Sequence, residues 1–170
     1  MLRDDQAIIY SDSDGVIVDF MAGAQAILGH PFNETGKTRA EDGAQLNAMG
    51  NFWDTLPPMP DLHTYWEFIK KYQPHILTAV PSPPWHFEWH EVDRGKRAWY
   101  RKNLPTISQR HIHIVKREQK RDFARDGTVR NILIDDHQNN VREFEAAGGI
   151  GIYHVSAKVT IVQLKALGYH

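Results

Sequence analysis

The feature that most constrains this chain is a short apolar run that ends in two closely spaced acids. Residues 7–11 are rich in β-prone side chains, Asp12 and Asp14 follow them, and Gly15 ends the run. This pattern predicts a buried strand that stops at a turn. Open α/β sheets bind their ligands at the carboxyl ends of their strands, and carboxylates there suit Mg²⁺ and its accompanying phosphates. The alternative is an ordinary acidic turn after a surface strand.

Strand-like and helix-like segments alternate along the chain. The predicted strands are residues 7–11, 75–78, 111–115, 131–134 and 151–155. Apolar residues recur with helical spacing over residues 62–72, and further helix candidates are 96–104, 118–125 and 139–147. This alternation predicts an α/β protein with a Rossmann-like, three-layer fold around a central parallel sheet.

The segment 21–60 differs from the rest of the chain. It is rich in Gly, Ala, Asn, Asp and Pro, and it separates the first two predicted strands by far more than a βα connection needs. The adjacent aromatics Phe52 and Trp53 favour a folded segment over a disordered loop. We therefore expect a small helical cap at 21–60, inserted after the first strand, and a core domain formed by 1–20 and 61–170.

Composition narrows the classes of protein and site. The chain has 170 residues, a formal net charge of −1 and no cysteine. The charge gives no support for general nucleic-acid binding, and the lack of cysteine excludes disulfides, thiolate nucleophiles and Cys-ligated zinc. No apolar stretch is long enough to span a bilayer, and no signal-peptide core is present, so a cytoplasmic location is expected.

Three segments carry a resemblance to a known family. Residues 12–20, Asp-Ser-Asp-Gly-Val-Ile-Val-Asp-Phe, resemble the first motif of the haloacid-dehalogenase superfamily of phosphohydrolases, and in particular that of the 5'(3')-deoxyribonucleotidases. Thr78 resembles the second motif, and the Ile-Asp-Asp of residues 134–136 resembles the fourth. The nucleotidases have Thr-Ser where this chain has Thr78 and Ala79, so one hydroxyl is missing. The short insert is similar to that of the compact phage and bacterial members.

The resemblance implies a mechanism and a set of site residues. Asp12 would attack phosphorus to form an aspartyl-phosphate, and Asp14 would act as general acid and base. Mg²⁺ would be held by Asp12, the main-chain carbonyl of Asp14 and Asp136, with Asp135 in a supporting hydrogen-bonding role. The hydroxyl of Thr78 would hold a phosphate oxygen.

The phosphate-binding lysine has three candidates. Lys120 lies a few residues after the third predicted strand, as the family's lysine does, and is the favoured choice. Lys116 follows that strand directly, and Lys96 lies in a Lys-x-x-Trp segment similar to one in the family. The choice among the three stays open at this level.

The resemblance also implies deoxyribonucleoside monophosphates as substrates, with Phe20, Phe52 and Trp53 binding the base. Packing of the cap against the core is the alternative role for these aromatics, and residues 85–89 form a further aromatic candidate. Another phosphomonoester, such as a sugar phosphate or a polynucleotide end, and a non-catalytic binding domain remain as alternatives. The expected partner is a small phosphomonoester rather than a membrane, with a homodimer left open.

Ten histidines raise the question of a zinc site. His111 and His113 would lie on one face of a strand, and His86 and His90 are four residues apart. No third ligand at useful spacing accompanies either pair. We therefore expect these histidines to be surface or supporting residues rather than ligands of a transition metal.

Overall fold

The computed structural model describes residues 6–32, 39–82 and 87–170. Its strands are β1 (Ile9–Ser11), β2 (His75–Ala79), β3 (Ile112–Val115), β4 (Arg125–Asp126), β5 (Val129–Arg130), β6 (Ile132–Asp135) and β7 (Ile150–Tyr153). Five of them form a central sheet in the order β3-β2-β1-β6-β7, and every neighbouring pair in it is parallel. β4 and β5 form a separate antiparallel hairpin.

Seven α-helices lie in the described part of the chain. They are α1 (Phe20–Leu28), α2 (Arg39–Asn47), α3 (Phe52–Thr55), α4 (Leu62–Ile69), α5 (Trp89–Asn103), α6 (Gln138–Ala146) and α7 (Ala157–Ala166). The predicted fold class, a Rossmann-like α/β protein with a central parallel sheet flanked by helices, is confirmed. None of the described helices is both long enough and apolar enough to cross a bilayer.

The sheet is buried on both faces, which explains its nearly continuous apolar strands. Successive strand residues point to opposite faces. On one face Ile76 and Ile132 belong to a core with Tyr65 of α4, and on the other Leu77 belongs to a core with Phe144 of α6. This double burial holds the carboxyl ends of β1, β2 and β6 side by side, where the predicted site residues follow.

Three helices differ from the sequence-based elements, and the hairpin of β4 and β5 was not among the predicted strands. Residues 118–125 were expected to form an α-helix, but the chain forms a 3₁₀ helix, Arg117–Phe123. Helix α5 begins at Trp89, earlier than the predicted start at residue 96. Helix α7 was not predicted, because only Ala157, Thr160 and Leu164 along it are buried and its apolar periodicity is weak.

The insert between β1 and β2 carries α1, α2 and α3 in its described residues. A close approach fixes α3 against α5: a Cβ on Gly95 would come within 2.6 Å of the Trp53 Cβ. Only glycine permits this approach without a shift of the neighbouring side chain. The contact places the Trp53 ring beside Lys96, the residue after this glycine.

Candidate active site

The turn after β1 presents the first two acids. The Ser13 carbonyl accepts hydrogen bonds from the amides of Ile17 and Val18 at 2.8 and 2.9 Å, which closes the turn tightly. Gly15 adopts a φ of +81°, a left-handed conformation that favours glycine. A Cβ at Gly15 would also collide with the Asp136 carboxylate. Glycine therefore lets the acid that follows β6 reach the turn that follows β1.

Asp12 lies at the base of the site and is 5% exposed. Its Oδ1 accepts hydrogen bonds from the Ser13 amide at 2.7 Å and contacts the Lys120 ammonium at 2.9 Å. Its Oδ2 makes no hydrogen bond to a described residue. Burial raises the pKa of Asp12 well above its usual value, Lys120 opposes the shift, and Asp135 and Asp136 add to it.

Asp135 is fully buried, and its carboxylate is saturated with hydrogen bonds. Oδ1 accepts from the His137 amide at 2.8 Å and from Asn140 Nδ2 at 3.1 Å. Oδ2 accepts from Lys120 Nζ at 2.7 Å and from Asn140 Nδ2 at 3.0 Å. Each oxygen thus already has two donors, which suits a supporting role better than metal ligation.

Asp136 has the opposite character. Its Oδ1 is buried without a hydrogen-bond partner, as is Oδ1 of Asp14. Burial raises the pKa of Asp136 to about 6, with His137 opposing the shift. One carboxylate oxygen from each of Asp12, Asp135 and Asp136 lies within 4.8 Å of the others. Buried polar atoms normally have partners, so these orphaned oxygens fit a hard divalent cation such as Mg²⁺.

Lys120 joins two of the acids. It is 2% exposed and its Nζ lies between Asp12 and Asp135. Burial alone would lower the pKa of the ammonium, but the two carboxylates hold that pKa above its usual value. The group therefore stays charged at the floor of the site. Lys116, the neighbouring candidate, is exposed.

Lys96 is a second buried lysine in the same site, 3% exposed. Its Nζ donates to Asp14 Oδ2 at 2.6 Å and to Thr78 Oγ1 at 2.8 Å. The ammonium also lies 5.0 Å from the centre of the Trp53 ring, within the range of a cation–π contact. The structure thus brings both Lys96 and Lys120 to the acids.

A cleft of about 190 Å³ opens beside Asp12, Asp14 and Lys120, whereas Asp136 lines a neighbouring pocket that shares Asp14 with it. Its lining residues are Asp12, Asp14, Phe20, Arg39, Trp53, Ala79, Val80, Pro81, Ser82, Arg117, Lys120, His137 and Asn140. Thr78 is fully buried, and neither it nor Lys96 lines the cleft; its hydroxyl accepts a hydrogen bond from Lys96, which in turn donates to Asp14. Ala79, which stands where the family has Ser, does line the cleft.

The three candidate aromatics divide into two groups. Phe20 and Trp53 line the cleft, but they are only 6% and 5% exposed and stack on each other at 6.0 Å. Phe52 is 2% exposed and packs against both of them and Phe87. Phe52 therefore supports the wall from behind, as the packing alternative holds. Residues 85 and 86 of the aromatic segment lie outside the described residues.

Several cleft residues were not identified from the sequence. Arg39, Arg117, His137 and Asn140 line the cleft, and Asn140 also donates a hydrogen bond to Asp135. Their positions in the sequence could have identified two of them, because Arg117 follows β3 closely and His137 follows the acid pair after β6. Arg39 gave no signal, because it comes from the polar insert.

The histidines gather elsewhere. His75 Nδ1 lies 2.9 Å from His113 Nε2, and the rings of His75 and His111 stack at 4.0 Å. The sequence missed His75 as their neighbour because it comes from β2 and meets the others only through sheet register. Among the described residues, acids and histidines converge for a metal only at the aspartates after β1 and β6. His90 is exposed at the start of α5, and His86 lies outside the described residues.

No protein-family model matches this sequence, and no match was found among curated proteins. Structural comparison finds similarity to a hydrolase from Streptococcus pneumoniae, with 9% identity, a TM-score of 0.48, and coverage of 96% of this chain and 98% of that one. A putative beta-phosphoglucomutase from Thermotoga maritima is similar with 14% identity, a TM-score of 0.42, and coverage of 95% and 99%. Likeness at this distance carries no argument about activity.

The fold and the site together define an α/β protein with a buried cluster of aspartates and lysines at the carboxyl end of its sheet. Within the described part of the chain, Asp12 Oδ2 accepts no hydrogen bond, Oδ1 of Asp14 and Oδ1 of Asp136 have no partner, and two ammonium groups are buried beside them. Such a site can accommodate a hard cation together with a phosphoryl group.

Proposed function

We propose that this protein is a Mg²⁺-dependent phosphomonoester hydrolase of the haloacid-dehalogenase type. The observation that carries the proposal is the position of Asp12. Its carboxylate lines the cleft, its Oδ2 has no hydrogen bond to a described residue, and Lys120 stabilises its charge. A buried carboxylate in this state is available as a nucleophile.

In the proposed reaction, Asp12 Oδ2 attacks the phosphorus atom and the bond to the ester oxygen breaks. Asp14, which lines the same cleft, gives a proton to the leaving oxygen. Water then attacks the phosphorus of the aspartyl-phosphate, Asp14 accepts the proton of that water, and phosphate leaves as the Asp12 carboxylate is restored. Asp12, the nucleophile, and Asp14, the general acid, both lie in the turn that follows β1. This turn therefore sets the distance between them.

The two lysines have distinct parts in this proposal. Lys120 would stabilise negative charge on Asp12 and on a phosphoryl oxygen, and Lys96 would do so beside Asp14. Thr78 would act by holding Lys96, because its own hydroxyl is buried behind that ammonium. Both lysines are buried and already bonded to acids of the site, so in this proposal they would need little reorganisation during the reaction.

The residues that would hold the metal are Asp12, Asp136 and the main-chain carbonyl of Asp14. Bound Mg²⁺ would offset the repulsion between these carboxylates and the phosphate, which is the chemistry it supplies. Asp135 would keep Lys120 and Asn140 in position beside them. The high pKa values of Asp12 and Asp136 support this part of the proposal, because they reflect carboxylates crowded in a buried site.

We further propose deoxyribonucleoside monophosphates as substrates and residues 21–60 as a cap over the site. The insert supports this by supplying Arg39 and Trp53 to the cleft lining, next to Phe20 from the residue just before it. The two aromatics are nearly buried, so the base would contact their exposed edges rather than enter between them. A sugar phosphate or a polynucleotide end is the alternative, since these groups share the same phosphoryl chemistry.

A screen of phosphomonoesters tests the proposal. Deoxyribonucleotides, ribonucleotides, sugar phosphates and an aryl phosphate are assayed for phosphate release with Mg²⁺ and with EDTA. We expect Mg²⁺-dependent release that is highest for deoxyribonucleoside monophosphates and absent in Asp12→Asn. Release from sugar phosphates above all nucleotides would overturn the substrate, and no release from any compound by folded protein would overturn the activity.

A further inference from the structure

Two arginines from different parts of the chain line the cleft and have no part in the reaction proposed above. Arg39 is the first residue of α2 in the insert, and Arg117 is the first residue of the 3₁₀ helix after β3. Ser82, also a cleft residue, lies near Arg39, with 3.5 Å between its Oγ and the arginine Nη2. The insert and the core thus each contribute one guanidinium to the same opening.

Arg117 is anchored to the catalytic cluster. Its Nη1 donates to Asn140 Oδ1 at 3.1 Å and to Glu143 Oε1 at 3.0 Å. Asn140 is itself buried and donates to Asp135. One edge of the guanidinium is therefore held in place, while its Nε and Nη2 make no hydrogen bond to a described residue.

The cations of the cleft are arranged by depth. Lys120 at the floor is 3% exposed at its side chain, whereas the Arg117 side chain is 49% exposed, which places it at the mouth. The two lysines are already paired with the acids around Asp12 and Asp14. These lysines would serve the phosphoryl group that reacts, and Arg117 adds positive charge farther out.

The guanidinium groups of Arg39 and Arg117 indicate the kind of ligand that they would bind. Guanidinium groups present planar pairs of N–H donors that match the oxygens of a phosphate, often in a bidentate manner. Two of them lining a cleft whose floor takes a phosphoryl group suit a molecule with a second phosphate. A neutral leaving group would offer neither guanidinium a charge-assisted hydrogen bond.

We propose that Arg39 and Arg117 bind a second phosphate of the substrate, so that the preferred substrates carry two phosphates, as nucleoside bisphosphates do. The inference rests on the proposed phosphatase function and narrows its substrate class. The phosphate at Asp12 is the one removed, and the phosphate at the arginines is bound without reaction. The second phosphate could be another monoester on the same nucleoside or the phosphodiester next to a terminal phosphate. Both present the same anionic oxygens to the arginines.

Binding to the Asp12→Asn protein tests the inference apart from turnover. Calorimetry measures its affinity for deoxyadenosine 3',5'-bisphosphate and for deoxyadenosine 5'-monophosphate with Mg²⁺ present. We expect the bisphosphate to bind at least about tenfold more tightly, the scale of a hydrogen bond to a charged group. Adding Arg39→Gln or Arg117→Gln should each reduce that preference several-fold and leave monophosphate affinity nearly unchanged.

Arg142→Gln is the matched control, because Arg142 lies on α6, donates a hydrogen bond to Gln138 and does not line the cleft. It should leave the preference intact. A 5'-phosphorylated dinucleotide that shows the same dependence on the arginines supports the inference and assigns the second phosphate to a diester. If the dinucleotide binds no better than the monophosphate, the supported source is a second monoester.

Equal affinity for the bisphosphate and the monophosphate would overturn the inference, as would a preference that survives both arginine substitutions. The proposed function fails on a different observation, namely wild-type protein that releases phosphate from no phosphomonoester. If the protein hydrolyses monophosphates but a second phosphate does not increase affinity, the proposed function stands and only this inference is overturned.

Discussion

The two ends of the central sheet both gather ionisable side chains, yet they do so in opposite ways. At the carboxyl end, carboxylates and lysines converge, and Asp14 and Asp136 each keep a buried oxygen without a partner. Near the amino ends of β2 and β3, His75 and His113 hydrogen-bond to each other and His111 stacks on His75. The candidate site is therefore distinguished by converging side chains that include polar atoms without hydrogen-bond partners. A high density of ionisable residues alone does not distinguish it.

Burial shifts the pKa values at the two ends in opposite directions. At the acid end it raises the pKa of Asp12 and of Asp136, so negative charge there is costly and a cation would relieve it. At the histidine end it lowers the pKa of His113, and it lowers the pKa of His75 to about 4. That end favours neutral rings, and added positive charge there is costly.

The largest expected effect is at the proposed nucleophile. Asp12→Asn removes charge and nucleophilicity with little change in volume, so phosphatase activity should fall to a few per cent of wild type or less. The melting temperature should not fall, because burial already disfavours the carboxylate. Steady-state kinetics and thermal melts measure the two effects. Substantial activity in a clean preparation would remove Asp12 from the nucleophile's role.

Substitution of the two buried lysines should have the next largest effect on activity. Lys120→Ala and Lys96→Ala should each lower kcat/KM by about 10²-fold or more, the scale for losing a donor aimed at developing charge. Lys120→Ala should also lower the free energy of unfolding by about 3–5 kcal/mol, because it leaves buried acids unpaired. Lys116→Ala is the exposed control and should be mild. A severe defect at Lys96 beside a mild one at Lys120 would shift the charge-stabilising role to α5.

Asp135 and Asp136, the two acids after β6, should respond differently to substitution, because Asp136 is the proposed metal ligand and Asp135 holds Lys120 in place. Asp136→Asn should raise the Mg²⁺ concentration needed for activity more than Asp135→Asn does. With EDTA, Asp136→Asn should keep or raise the melting temperature, because it removes a crowded charge, whereas Asp135→Asn should lower it by weakening the bond to Lys120. Mg²⁺ titrations and melts give both readings. A larger Mg²⁺ requirement in Asp135→Asn would reverse the assignment of the two acids.

The smallest effect concerns the histidine end. The pKa of His75 is about 4 in the folded protein, against about 6.5 in an unfolded chain. Between these values the unfolded chain binds more protons, so stability should fall as the pH is lowered from about 6.5 towards 4. His75→Gln should reduce this slope in urea unfolding at a series of pH values. An unchanged slope would show that the histidine end is not coupled to folding.

Local pattern explains what the sequence could predict. β1 with Asp12 and Asp14, and β6 with Asp135 and Asp136, are each an apolar run followed by acids, so their elements and positions follow from adjacent residues. Strand direction then brings both pairs to one edge.

The rest depended on contacts between segments distant in the sequence. Lys96 reaches Asp14 because Gly95 lets α5 approach α3. His75 meets His113 because β2 pairs with β3. Neither contact leaves a periodic signal in the sequence. The same holds for Phe52, whose burial depends on how the insert folds against the core.

The most direct test of the central claim is whether Asp12 becomes phosphorylated. Wild-type protein turning over its best substrate with Mg²⁺ is quenched in acid, digested and analysed by mass spectrometry. The account predicts one phosphoryl group on the peptide that contains Asp12, removed by hydroxylamine and absent in Asp12→Asn. Phosphate on a histidine peptide, or rapid turnover with no phosphopeptide at any quench time, would contradict it.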